Sequence, residues 1–104
     1  MKIIKVTYST KPTYAEQNQI NIKNLMSNLQ ESKYQGINYN VCMLEDNKTF
    51  IHTAFFKTEE DQKLLTGLPS FQFFQEQLKL SGLEVPPRQE LLTLVASSSN
   101  FFNE

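Results

Sequence analysis

Tryptophan is absent from this chain of 104 residues, and cysteine, histidine and arginine occur once each, as Cys42, His52 and Arg88. A single cysteine excludes an internal disulfide, and one Cys with one His is too few to build a zinc site. With one arginine, a formal net charge of −1 and lysines interspersed among the acids, there is no basic stripe to contact phosphates, so nucleic acid is not an expected partner. The three glycines, Gly36, Gly67 and Gly82, are isolated, which leaves no phosphate-cradling loop. No serine or cysteine has an identifiable base and orienting acid beside it, so hydrolytic nucleophile chemistry lacks support. Neither a cofactor nor a metal is implied. No apolar run approaches the roughly 18 residues of a membrane span. The first residues carry no signal-peptide core, so no membrane and a cytoplasmic location are the expectations. In that reduced setting Cys42, on a strand, is expected to be a small buried hydrophobe.

What is present is an ordinary globular composition, 39% hydrophobic and 20% charged, with eight Phe and many amides. The length suits one domain, taken as 1–97, with a polar tail at 98–104 that Phe101 and Phe102 would dock somewhere. Ile4, Val6 and Tyr8 alternate with Ile3, Lys5 and Thr7, predicting a strand over Lys2–Ser9. Thr13-Tyr14-Ala15-Glu16 has capping-box spacing, so a helix is expected from Thr13. Ala15, Ile22, Met26 and Leu29 form its apolar stripe, and Gln17, Asn18, Gln19, Asn21, Asn24 and Asn28 are read as its solvated face. Strands are expected at Ile37–Leu44 and Thr49–Lys57. A broken helical stretch follows over Thr58–Ser81, acidic in its first turn and interrupted by Gly67 and Pro69, with Ser70 placed to cap its second part. Val85-Pro86-Pro87 would bridge to a last strand at Glu90–Ser97.

Between the middle strands, Glu45-Asp46-Asn47-Lys48 is a turn cluster, and Asp46-Asn47 suits a two-residue loop because both tolerate positive φ. If Glu45 faces Lys48, then Asn38 pairs with Phe55, Tyr39 with Ala54, Asn40 with Thr53, Val41 with His52 and Cys42 with Ile51. A bulged three-residue turn would shift that pairing by one residue. In the first register one face carries Ile37, Tyr39, Val41, Met43, Phe50, His52, Ala54 and Phe56, the natural match for the helical stripes. The other carries Asn38, Asn40, Cys42, Leu44, Thr49, Ile51, Thr53 and Phe55.

Strand, helix, strand, strand, helix, strand is the ferredoxin-like βαββαβ order. It predicts a four-stranded antiparallel sheet in the order four, one, three, two, with both helices on one face. The stretch from Phe50 through Leu78, with Phe-Ile-His-Thr-Ala-Phe-Phe-Lys-Thr-Glu-Glu-Asp-Gln followed by Leu-Pro-Ser-Phe-Gln-Phe-Phe, resembles the antibiotic-biosynthesis-monooxygenase-like group of dimeric α+β barrel proteins. In that group a third strand ending in an aromatic runs into an acidic helix start, a break and a Phe-bearing second helix. The resemblance implies a homodimer whose sheets face each other around a cavity. Some members oxidise quinols or polycyclic phenols with molecular oxygen and no cofactor, others degrade haem, and many have no known activity. Where many members have a glutamate near the end of the third strand this chain has Ala54, and where they have a histidine in the short helix it has Leu65.

Several side chains are candidates for a site. His52 is the only group with an ordinary pKa near neutrality and is the candidate catalytic base. Asn38, Asn40, Thr53 and Phe55 would line the dimer cavity on the mixed face, and Tyr39 could donate to a ligand oxygen from the face that carries His52. A structural role is the alternative for each of them. Three functions stay open: a homodimeric barrel that binds and oxidises a small apolar or aromatic molecule, a non-catalytic ligand-binding member of that architecture, and a protein-interaction module.

Overall fold

The computed structural model describes residues 1–102. The last two positions of the expected tail, and the side chain of Phe102, lie outside the described residues. The elements are β1 (Lys2–Ser9), α1 (Ala15–Ser32), β2 (Ile37–Met43), β3 (Thr49–Phe56), α2 (Glu59–Thr66), α3 (Pro69–Ser81) and β4 (Val85–Leu92), with one 3-10 turn at Asn100–Phe102. All ladders are antiparallel and the strand order is β2-β3-β1-β4, which is the ferredoxin-like order.

The period-two pattern decides which side of the sheet meets the helices. Tyr8 from β1 and Phe50, Ala54 and Phe56 from β3 share one buried cluster with Ala15, Ile22 and Leu25 of α1, Leu65 of α2 and Phe71, Phe74 and Leu78 of α3. Tyr39 and Val41 of β2 pack against that cluster from its margin. The opposite face carries Ile3, Lys5, Thr7, Ile51, Thr53 and Phe55, and α1, α2 and α3 pack on the other side from it. Ile3 is nonetheless buried, beside its ladder partners Phe55 and Leu92.

The ladder has the first register, in which Asn38 meets Phe55, Tyr39 meets Ala54, Asn40 meets Thr53, Val41 meets His52 and Cys42 meets Ile51. It closes with the Leu44 amide on the Thr49 carbonyl at 2.9 Å, so the loop is the four residues 45–48 rather than Asp46-Asn47 alone. Within this loop only Asn47 takes a positive φ, at 61°. The Asn47 amide donates to the Leu44 carbonyl at 3.1 Å, and the Asp46 carboxylate accepts from the amides of Lys48 and Thr49. The Asp46 side chain thus holds the far end of the loop.

Several local expectations are corrected. The last strand is Val85–Leu92 rather than Glu90–Ser97. Its ladder ends where β1 runs out, with Leu92 opposite Ile3, so Thr93 and beyond have almost no strand left to pair with. Pro86 and Pro87 are accommodated inside the strand. Ser9 pairs with Val85 and Thr7 with Arg88, so two prolines stand opposite one residue of β1 in a bulge on an edge strand, where missing amides are tolerated. The Thr13 capping box does not form. Tyr14 occupies the cap position of α1 without a side-chain hydrogen bond, and its own amide donates to the Lys11 carbonyl in a preceding turn. Helix α3 starts at Pro69 with Leu68 at its cap, so Ser70 lies inside the first turn. Proline, with φ already helical and no amide to satisfy, suits that first position. Cys42 is exposed, because β2 is an edge strand and the face that carries this thiol is uncovered. Asn18 and Asn21 are buried. At the tail, Phe101 docks beneath the Lys57 ammonium, 4.9 Å from its ring centroid.

A capping box does start α2. Thr58 accepts from the Asp61 amide at 3.2 Å, and the Asp61 carboxylate accepts from the Thr58 amide at 3.0 Å. That carboxylate rests against Gly36, where a Cβ would collide with it. Gly36→Ala must therefore displace Asp61 and open the box, at a cost of about 1–2 kcal/mol. Thr58→Ala should cost about 1 kcal/mol alone and clearly less in the Gly36→Ala background, because both changes break one network. Urea unfolding of the two single variants and the double variant checks this, and strict additivity would separate Gly36 from the cap.

Candidate binding site

His52 lies in the middle of β3, between Phe50 and Ala54 on the helix-facing side, and is 5% exposed. Its direct ladder partners are Val6 on β1 and Val41 on β2. Tyr8, opposite Phe50, and Tyr39, opposite Ala54, are its diagonal neighbours on either side. Diagonal positions in a sheet are roughly 7–8 Å apart at the backbone, within reach of long aromatic side chains. Both tyrosines make that reach. The Tyr8 hydroxyl is 2.7 Å from His52 Nε2, and the Tyr39 hydroxyl is 2.6 Å from His52 Nδ1. Helix α1 adds Asn18, whose Nδ2 donates to the Tyr8 oxygen at 2.9 Å. Helix α3 lays Phe74 over the imidazole, with ring centroids 5.4 Å apart.

The electrostatics follow from burial. Desolvation pushes His52 down to about 4, so its ring is neutral at physiological pH. Burial also raises both tyrosines, and for Tyr8 the Asn18 bond opposes that rise. A neutral imidazole has one N–H and one bare nitrogen. One tyrosine therefore donates a hydrogen bond to the bare nitrogen while the other accepts one from the ring N–H.

A cleft of about 420 Å3 opens between this network and α3. Tyr8, Tyr39 and His52 border it, Val6, Phe71, Phe74, Leu78 and Leu83 give it apolar walls, and Gln75, Lys79 and Gln89 add polar groups. A smaller hollow of about 170 Å3 also borders His52 and Tyr39. Ala54 and Leu65 both line it, so the two positions where the resemblance implies a glutamate and a histidine adjoin the one histidine present. A further hollow of about 370 Å3, between α1 and β2, borders Tyr39 and Phe50 but not His52.

The site residues expected from sequence divide between the two faces of the sheet. His52 and Tyr39 are brought together on the helix side, while Asn38, Thr53 and Phe55 point to the uncovered side. Asn40 bonds Asn38 there, Nδ2 to Oδ1 at 2.7 Å, and also borders the hollow beside α1. Sequence reasoning missed Tyr8 and Asn18. The signal was present, since Tyr8 shares the parity of Val6, and Asn18 falls between Ala15 and Ile22 at the stripe spacing of α1. Among the described residues no group of His, Cys, Asp and Glu side chains could hold a metal, and no helix is long and apolar enough to cross a membrane.

No protein-family profile and no curated protein sequence matches the chain. Solved structures do match. The chain superposes on Rv0793 from Mycobacterium tuberculosis with a TM-score of 0.76 at 11% identity, over 94% of this chain and 98% of that one. A candidate antibiotic biosynthesis monooxygenase from Nitrosomonas europaea gives 0.75 at 14% identity, over 92% and 100%. Another antibiotic biosynthesis monooxygenase gives 0.73 at 9% identity, again over 92% and 100%. These likenesses establish the fold: the chain is built on the ferredoxin-like α+β plan of antibiotic-biosynthesis-monooxygenase-like structures.

The depressed His52 has a consequence for stability. Between about pH 4 and 6.5 the unfolded chain binds a proton at this histidine that the folded protein does not, so stability falls as pH drops through that window. The full slope is about 1.4 kcal/mol per pH unit. Urea unfolding at pH 7 and pH 5 should show this loss in the native protein and a shallower one in His52→Gln. Equal slopes in both would mean that the folded imidazole titrates normally.

Proposed function

We propose that the protein is a homodimer that binds a small, oxygen-bearing aromatic molecule in the cleft between the sheet and α3. The observation that carries this reading is the Tyr8–His52–Tyr39 network beside an otherwise apolar cleft of about 420 Å3. Pockets of a few hundred Å3 with apolar walls and a few fixed polar groups are the usual form of a small-molecule site. The aromatic walls Phe71 and Phe74 favour a flat ligand, and the tyrosine hydroxyls favour one with an oxygen.

The sheet face without helices is the proposed dimer surface. Ile51, Phe55 and Leu92 give it apolar area, with Lys5, Thr7, Thr53 and Glu90 between them. The mixed face read from sequence as cavity lining is here assigned mainly to association, with the ligand on the other side of the sheet.

Oxidation of the ligand by molecular oxygen without a cofactor is a second reading, favoured by the fold likeness and by the position of Ala54 and Leu65 beside His52. In such a reaction an activated CH2 group becomes a carbonyl. One oxygen atom enters the product and the other leaves as water, so the substrate supplies all four electrons. With a pKa of about 4 and both nitrogens engaged, His52 is a weak base. Its role in this reading is to position Tyr39.

Light scattering on a sizing column should give about 24 kDa, twice the chain mass of 12.1 kDa. A 12.1 kDa particle would remove the dimer. Two-ring phenols and ketones at 100-fold over their dissociation constant should stabilise the protein by about 2.7 kcal/mol, read as a rise in melting temperature. Gln75→Trp, which narrows the exposed mouth, should abolish that rise without changing the mass. No rise with any such compound would end the binding reading, and oxygen uptake with quinols tests the oxidation.

A further inference from the structure

The hydrogen-bond chain Asn18–Tyr8–His52–Tyr39 has two possible directions, and the side chains around it favour one. Asn18 Nδ2 can only donate, so the Tyr8 oxygen accepts its hydrogen at 2.9 Å. Tyr8, 2% exposed, must then place its own hydroxyl hydrogen, and His52 Nε2 lies 2.7 Å away. If Nε2 carried the ring proton instead, Tyr8 would accept twice and bury its hydrogen without an acceptor. Leaving a buried donor unpaired disfavours that arrangement by about ten-fold or more.

The orientation of the Asn18 amide follows from the same count. Asn18 is fully buried, and as placed only its Oδ1 lacks a partner. Turning the amide over would aim Oδ1 at Tyr8 and leave the NH2 group where Oδ1 now finds no partner. Orphaned donors are rarer in proteins than under-satisfied carbonyl oxygens.

We infer that Asn18 sets the direction of this chain, so that Tyr8 donates to His52 Nε2, His52 Nδ1–H donates to Tyr39, and Tyr39 offers its own hydrogen to the cleft. The cleft then selects ligands with an acceptor oxygen, a ketone- or quinone-type carbonyl or a phenolate, over ligands that only donate. Asn18 is a positioning residue, acting on the ligand through three side chains. A negative charge on the ligand oxygen would be stabilised by the aligned bonds behind Tyr39. The selectivity rests on the ligand reading of the cleft; the direction of the chain does not.

His52 is the only histidine, so one set of imidazole 15N correlations reports the tautomer directly. The native protein at neutral pH should show protonated Nδ1 and bare Nε2, the tautomer that is the less common one in free imidazole side chains. A protonated Nε2, or an even mixture, overturns the proposal and needs no variant to be seen. In Asn18→Leu the bias should fall toward a mixture, whereas an unchanged Nδ1–H spectrum would remove Asn18 from the role. Indanone and indole, similar in size, test the selectivity. Indanone, an acceptor only, should bind about ten-fold tighter than indole, a donor only. Indole binding as tightly as indanone overturns the selectivity. If neither binds while Nδ1–H is observed, the cleft reading fails and the direction stands.

Discussion

A histidine in the middle of the aromatic row on a central strand cannot be buried with a bare ring nitrogen at no cost. The fold depends on how that demand is met. Phe50, His52, Ala54 and Phe56 all face the helices because a strand alternates, so the imidazole enters the core whether or not partners exist for it. The two partners come from the flanking strands on opposite diagonals, and the register of both ladders must be right for both to arrive. A one-residue slip of β1 or β2 would carry Tyr8 or Tyr39 to the other face and leave a buried nitrogen unpaired.

Much of this was legible in the residues. The element order, the hairpin register and the choice of helix-facing side all follow from alternation and turn chemistry, and the structure has them. What escaped was set by contacts distant in sequence. The end of β4 depends on where β1 begins, which no local pattern in Leu91–Ser97 encodes. Two consecutive prolines read as an extended bridge outside the strand until one knows that β4 is an edge strand with a bulge. At Thr13 the capping motif lost to the turn at Lys11–Tyr14, whereas the Thr58 box formed beside a glycine with no side chain to obstruct it. The candidate site was half visible. His52 and Tyr39 carried its chemistry in their residue types, but Asn18 read as one amide among many on a polar helix. Only its place in the stripe marked it as buried.

The sheet separates two surfaces with different physical characters. One side is a cleft with aromatic walls and a fixed polar network, continuous with the core and closed in part by α3. The other mixes apolar and polar side chains and faces away from α1, α2 and α3. The proposed binding on the first and the proposed association on the second would not compete for the same side chains. Because the strands between them are shared, a shift of β3 under association would be felt at His52.

The paired prolines of β4 bear on self-assembly of a less welcome kind. An exposed edge strand is a template for indefinite strand addition, the growth mode of aggregates and fibrils. A chain arriving at the β4 edge meets a bulge and two consecutive positions without amide hydrogens, so a continuous ladder cannot propagate there. The same kink that lets β4 begin beside Ser9 guards the β4 edge of the sheet against runaway polymerisation.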